Sequence, residues 1–190
     1  MISVSEQLGY NKRIKDDLEK CTMNYLFHYD SPLGGITMSS DGQALTGLLF
    51  DNEKYFGETI PAESTERDFP AFAETVRWLD VYFSGKDPGF LPPIALHTTP
   101  FRREVCEIML TIPYGETMSY GEIASIIAKR RGIKSMSAQA VGGAVGHNPI
   151  SLIIPCHRVI GTDGSLTGYA GGIDKKRWLL KLEGTKLQED

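Results

Sequence analysis

The stretch SLIIPCHRVIGTDG, residues 151–164, sets a thiol and an imidazole side by side directly after a proline. A thiol becomes a strong nucleophile once its proton is removed, and a neighbouring histidine is the usual means. In a regular strand Cys156 and His157 would point to opposite faces, so they can cooperate only where the chain turns. Pro155 favours a turn, because it fixes its own φ and cannot donate to a sheet ladder. A nucleophile–base pair also needs a third group to orient the imidazole, and the stretch itself names none. By itself it reads more simply as a buried apolar strand ending in a small core residue beside a surface histidine. A metal reading has less behind it. Cys21, Cys106 and Cys156 are odd in number, far apart and outside any CxxC pattern, and the nearest pair, Cys21 and His28, supplies only two ligands. No disulfide framework, metal or cofactor is expected.

The elements around this stretch must position it. In TMSYGEIASIIAKR, Ser119 and Glu122 form a capping-box pattern ahead of Ile123, Ile126 and Ile127. After RGIKS, the small-residue segment MSAQAVGGAVGHNP can be helical up to Asn148-Pro149. Two short helices joined by a basic, glycine-containing turn predict a helix-turn-helix. Gly142, Gly143 and Gly146 each cost the second helix about 1 kcal/mol relative to Ala. That face is kept smooth either for close approach of a partner or for tight packing against a neighbouring helix. Upstream, TTPFRREVCEIMLTI predicts a helix capped by Thr98 or Thr99, with Pro100 at its first position. Val105, Ile108, Met109 and Ile112 make its buried face, and Cys106 reads as a packed core thiol.

DPGFLPP, residues 87–93, is the strongest punctuation in the chain and marks an interdomain connection. Before it, YLFHYDSPLGGITMSSDGQALTGLLFD offers three β-prone runs, broken by SPLGG and by Asp41-Gly42. A polar loop leads to FPAFAETVRWLDVYFSGK, where Phe72, Val76, Leu79 and Phe83 predict a helical apolar face and Gly85 a stop. Residues 1–20 are polar and lack apolar periodicity.

The 190 residues, 41% hydrophobic and 23% charged, suit one large domain or two small ones. No apolar run approaches a membrane span and the N-terminus lacks a signal-peptide core, so the expectation is a cytoplasmic protein without membrane contact. Residues 1–97 carry 8 Lys/Arg against 15 Asp/Glu, and residues 98–190 carry 12 against 9. An anionic partner would therefore meet the C-terminal half.

The segment NPISLIIPCHRVIGTDGSLTGYAGGIDKKRWLLKLEG resembles the O6-alkylguanine-DNA alkyltransferase family. The family's Pro-Cys-His-Arg-Val signature stands at Pro155–Val159, after its AVGGA segment and Asn-Pro pair and before its Gly-Tyr-x-Gly-Gly loop and Leu-Leu-x-x-Glu-Gly ending. The resemblance is strong over residues 98–184 and looser over residues 24–95. It implies an α+β chain: an extension over 1–21, a ribonuclease H-like α/β domain with a small antiparallel sheet over 22–95, and a mainly helical, winged-helix-like domain over 96–186. It implies a DNA repair protein, a methylated-DNA–protein-cysteine S-methyltransferase acting on alkylated double-stranded DNA; transfer to a single lesion needs only a monomer, so no obligatory protein partner is expected. Cys156 would take the alkyl group from O6 of guanine, or O4 of thymine, and keep it. His157 would deprotonate it through a water, with Glu183 as the orienting third member.

The same resemblance assigns further roles. Tyr120 would donate to the flipped base and assist leaving-group protonation, and Asn148 would tie the second helix to the active-site strand. The Val159 carbonyl and Ala170 N–H would hold the base, with Tyr169 as a pocket wall. The second helix, with Gln139, Ala140, Gly142 and Gly143, would enter the minor groove and the target nucleotide would leave the stack. Here the chain departs from the pattern. Gln139 stands where the family commonly has an intercalating arginine, and a basic run of Lys129, Arg130, Arg131 and Lys134 is expected to add phosphate contacts. Two other readings stay open: a non-transferring helix-turn-helix protein that recognises or signals lesions, and a Cys-His hydrolase.

Overall fold

The computed structural model describes residues 24–61, 64–66 and 69–186. The expected N-terminal extension and Cys21 lie outside these. Strand β1 (Asn24–Ser31) returns antiparallel as β2 (Gly34–Ser40) through the tight Pro32-Leu33 turn, with Ser31 Oγ donating to Gly34 O. β2 pairs antiparallel with β3 (Leu45–Phe50). The turn between them is held by the Asp41 carboxylate, which accepts from Gln43 and Ala44 N–H, while Gly42 takes φ +90°. The three expected runs are therefore the three antiparallel strands.

The polar loop after them is more structured than its composition predicts. It contains a single helical turn, α1 (Phe56–Thr59), and a short strand β4 (Ser64–Glu66) that pairs parallel with β1, giving the order β3-β2-β1-β4. Three residues of parallel ladder leave too short a hydrophobic pattern to detect.

Helix α2 (Pro70–Phe83) starts with its proline at the first turn and packs on the sheet. Its buried stripe is Phe72, Thr75, Trp78, Leu79 and Tyr82, while Val76 and Phe83 are only half-buried. The apolar face is thus rotated from the predicted one, and the rotation carries the Tyr82 hydroxyl into the interior. The connection is not a free linker either. Leu45 N–H donates to Pro93 O and Ala95 N–H donates to Leu45 O, so it lies along β3.

Helix α3 (Pro100–Met109) is capped by Thr99, whose hydroxyl accepts from Arg102 N–H, and it buries Val105, Cys106, Ile108 and Met109. After the two-residue strand β5 (Met118–Ser119), helix α4 (Tyr120–Arg131) opens with the Ser119–Glu122 capping box and ends on Gly132 at φ +63°. Helix α5 (Ala138–Gly146), capped by Ser137, completes the helix-turn-helix. Strand β6 (Val159–Ile160) pairs parallel with β5, and helix α6 (Ile173–Leu182) closes the fold. One hydrophobic core runs through both halves, from Leu48 and Phe50 of β3 to Ile150, Leu152 and Ile154. No described helix is long and apolar enough to cross a membrane.

Candidate active site and DNA-facing surface

The apolar run before Cys156 is not a strand. It meets the sheet at a single register point, where Leu48 N–H donates to Pro149 O and Ser151 N–H to Leu48 O, and then it curls. Leu152 takes φ +70°, a left-handed conformation uncommon for a branched side chain. Ile154 N–H reaches back to Ile150 O at 3.0 Å, and Cys156 N–H to Ile154 O at 2.8 Å. A buried turn leaves backbone groups that a ladder would have paired. The Asn148 side chain satisfies them: Nδ2 donates to Ile154 O at 2.8 Å and Ile150 O at 3.3 Å, and Oδ1 accepts from Ile150 N–H at 3.1 Å. The chain then forms a 3-10 turn over Cys156–Arg158, so the turn needed to relate thiol and imidazole is present.

Both groups are interior: Cys156 is 3% exposed and His157 is not exposed at all. His157 Nε2 lies 2.6 Å from Glu183 Oε1, with the Tyr82 hydroxyl donating to the same oxygen at 2.7 Å. Glu183 Oε2 accepts from Arg158 Nε at 2.8 Å and from Gly115 N–H at 3.1 Å, and Arg158 also donates to Ile112 O. Burial pushes the Glu183 carboxyl up, but hydrogen bonds and charge from His157 and Arg158 outweigh it and hold the group at about 2. Burial keeps the imidazole below its ordinary value, against the pull of Glu183. A neutral imidazole beside an ionised carboxylate places its proton on Nε2 and its lone pair on Nδ1. Nδ1 is buried and makes no protein hydrogen bond. Burial, then the neighbouring Glu53, raise the Cys156 thiol to about 11, while Asn148, Lys176 and Ser151 favour the thiolate. The resting sulfur is a thiol, and its reaction requires a base.

A pocket of about 600 Å³ is lined by Tyr120, Gln139, Gly142, Thr167, Tyr169 and Ala170, together with Lys54 and Tyr55. The Tyr120 hydroxyl donates to Thr167 O at 2.9 Å and faces Gly168 O at 3.2 Å. Burial and Cys156 raise it to about 12. The fully buried Lys176 ammonium donates to Val159 O at 2.6 Å and Thr167 O at 3.0 Å, fastening β6 to the loop that carries Tyr169. The Val159 carbonyl is therefore already engaged, with its second lone pair left for another donor. Ala170 O accepts from Lys54 N–H, and Tyr55 stacks on His147 at the end of α5 with ring centroids 4.0 Å apart.

On α5, Gln139, Ala140 and Gly143 are exposed. A Cβ built on Gly143 meets nothing within 4 Å, and on Gly142 and Gly146 it meets only ordinary contacts at 3.8 and 4.0 Å. Packing inside the protein therefore does not demand these glycines. All four cations of the basic run are exposed, and Arg131 is in addition paired with Glu104 at 2.6 Å and lies over the Phe101 ring.

A family model described as the DNA binding domain of 6-O-methylguanine DNA methyltransferase matches residues 100–185, and its ribonuclease-like domain matches residues 24–96. The chain belongs to this family. A methylated-DNA–protein-cysteine methyltransferase of Mycobacterium bovis is 44% identical over 169 residues, covering 87% of this chain and 97% of that one. The Methanosarcina barkeri protein of the same name is 45% identical, covering 84% and 96%. Among solved structures, Mycobacterium tuberculosis OGT in complex with DNA is 44% identical with a TM-score of 0.72, covering 84% of this chain and 92% of that one.

Within this alkyltransferase-family site, several residues had no role assigned from the sequence. Tyr82 was hidden by the misread phase of α2, although Phe72, Thr75, Leu79 and Tyr82 follow helical spacing. Lys176 precedes Leu179 and Leu180 by one helical turn on α6, a spacing that places it on their buried face. Arg158 stands inside the signature but carries no signal of its carboxylate partner. Glu53 and Ser151 meet across 98 positions, which no local pattern reveals.

Proposed function

We propose that this chain repairs alkylated DNA by moving the alkyl group from O6 of guanine, and O4 of thymine, irreversibly onto Cys156. The observation that supports it most directly is the buried thiol beside a neutral imidazole that a fixed carboxylate orients. His157 Nδ1 takes the thiol proton through a water, the sulfur–carbon bond forms as the carbon–O6 bond breaks, and the Tyr120 hydroxyl supplies the proton that leaves guanine neutral. The resulting thioether has no leaving group for this site to activate, so each molecule acts once.

O6 is inaccessible within a duplex, so the base must rotate into the pocket, where Val159 O, Ala170 N–H and Tyr169 receive it. The open glycine face of α5 suits close approach to a sugar–phosphate wall in the minor groove, and Gln139 fills the space the base leaves. Residues 96–186 carry this chemistry, and residues 22–95 support it from β3. One lesion engages one chain, so a monomer in the cytoplasm suffices.

The test is to incubate the protein with a duplex containing O6-methylguanine and weigh it. A mass gain of one methylene that is absent from Cys156→Ala supports the reading. Intact binding without a gain would point to lesion recognition alone. Phosphate contact is tested separately. Arg130→Glu should weaken DNA binding and lower the slope of affinity against salt by about 1, whereas Arg131→Ala, already committed to Glu104, should change the slope less. Titrations at several salt concentrations distinguish the two.

A further inference from the structure

Glu53 is a carboxyl in the β3–α1 connection, far from the signature in sequence, yet it is 5% exposed and reaches the acceptor. Its Oε2 accepts from Phe50 N–H at 3.0 Å, and its Oε1 accepts from Ser151 Oγ at 2.7 Å. The Ser151 hydroxyl also acts on the Cys156 thiol, favouring its thiolate. Sulfur, hydroxyl and carboxylate are thus all buried, with the hydroxyl and carboxylate joined directly and His157 not involved.

We propose that Glu53 is a second proton acceptor for Cys156, reached through the hydroxyl of Ser151. This rests on the transfer reaction proposed above. The Ser151 O–H bond breaks as its proton moves to Glu53 Oε1, and the thiol proton moves to Ser151 Oγ. The products are a neutral carboxylic acid, a restored serine and a thiolate. The restored hydroxyl now donates to the sulfur, and the total charge of the group does not change. That balance matters in a buried site, where a carboxylate and a thiolate side by side would repel strongly.

Burial pushes the Glu53 carboxyl up to about 7, against hydrogen bonds from Ser151 and Phe50 and the charge of Lys175. A base with such a value is suited to proton transfer near neutrality. The other titratable groups facing the pair are Lys176 of α6, Tyr120 of α4, Tyr169 of the pocket loop and Cys106 of α3. The three neutral acids stay protonated in this range. Lys176 favours the thiolate but has no hydrogen bond that could carry its proton.

The experiment is single-turnover methyl transfer from an O6-methylguanine duplex, followed by mass from about pH 5 to 9, in wild type, Glu53→Gln and Ser151→Ala. In wild type the rate should fall as pH drops through about 7, where Glu53 becomes protonated. In Glu53→Gln the plateau should be about tenfold lower and the acid limb should move to the lower pH set by His157. Ser151→Ala should show the same loss, and it decides the matter if Glu53→Gln does not fold. A Glu53→Gln protein that transfers as fast as wild type or faster, or whose limb has not moved, overturns the proposal. Removal of a mere neighbouring charge would speed thiolate formation. These outcomes concern rate, whereas failure of the transfer reading would appear as no mass gain in wild type.

Discussion

Glu183→Gln should slow methyl transfer by about 10²–10⁴-fold while leaving DNA affinity close to wild type. The carboxylate fixes the His157 proton on Nε2 and stabilises the imidazolium that forms when Nδ1 accepts a proton. A neutral amide does neither securely. Its oxygen or its nitrogen can face Nε2, so the tautomer with its proton on Nδ1 becomes populated and cannot act as a base. The same substitution leaves Arg158, only 8% exposed, without its counter-charge. Breaking a buried pair from one side costs about 3–5 kcal/mol.

The pH dependence of this loss has a definite sign. The folded carboxyl titrates at about 2, below its ordinary value of 4.5, so folding favours the ionised form. Its contribution, about 3 kcal/mol, is complete above pH 4.5 and disappears as pH falls toward 2. The stability gap between wild type and Glu183→Gln in urea should therefore be constant near neutrality and narrow below pH 4.5. A gap that persists undiminished in acid would show that packing, not charge, gives Glu183 its weight. Single-turnover rates measured alongside separate the catalytic loss from the structural one.

The legibility of the fold followed the reach of each signal. Local ones succeeded: the Thr99 cap, the Ser119–Glu122 box, the Asp41-Gly42 turn and Gly132 at the end of α4 all concern residues within one turn of each other. Signals averaged over a helix were less sharp, and the misphased stripe of α2 concealed Tyr82. The apolar run at 151–154 misled because burial on all sides gives a strand and a buried turn the same composition. What decides between them is Asn148, whose side-chain hydrogen bonds cannot be read from hydropathy. The Cys156–His157 pair was legible as chemistry, and its distant orienter Glu183 became legible only through the family resemblance. Glu53 was not legible at all, because its partner is contributed by the other half of the chain.

Asn148→Ala should cost about 3 kcal/mol of stability and slow transfer about 100-fold, by a route different from that of Glu183. The side chain is 5% exposed and serves three backbone groups. Ile154 O and Ile150 O keep other donors, Cys156 N–H and Ile154 N–H, but Ile150 N–H would be left buried without an acceptor. One such orphan costs about 1–3 kcal/mol. The turn it supports also holds Leu152 in a left-handed conformation that persists only while its surroundings over-determine it. Once released, the turn can relax and displace the sulfur, and a shift of about 1 Å is enough for a 100-fold loss. Because the proton acceptors are untouched, the pH–rate profile should fall uniformly rather than move, unlike that of Glu183→Gln. Asn148→Asp should be worse than Asn148→Ala. It keeps the acceptor for Ile150 N–H, but it sets a carboxylate oxygen against two carbonyls and adds a second negative charge beside the thiol. Unfolding in urea and transfer at several pH values, measured on both variants, test this order. If Asn148→Asp were the faster of the two, the acceptor it keeps for Ile150 N–H, and with it the shape of the turn, would outweigh the added charge beside the thiol.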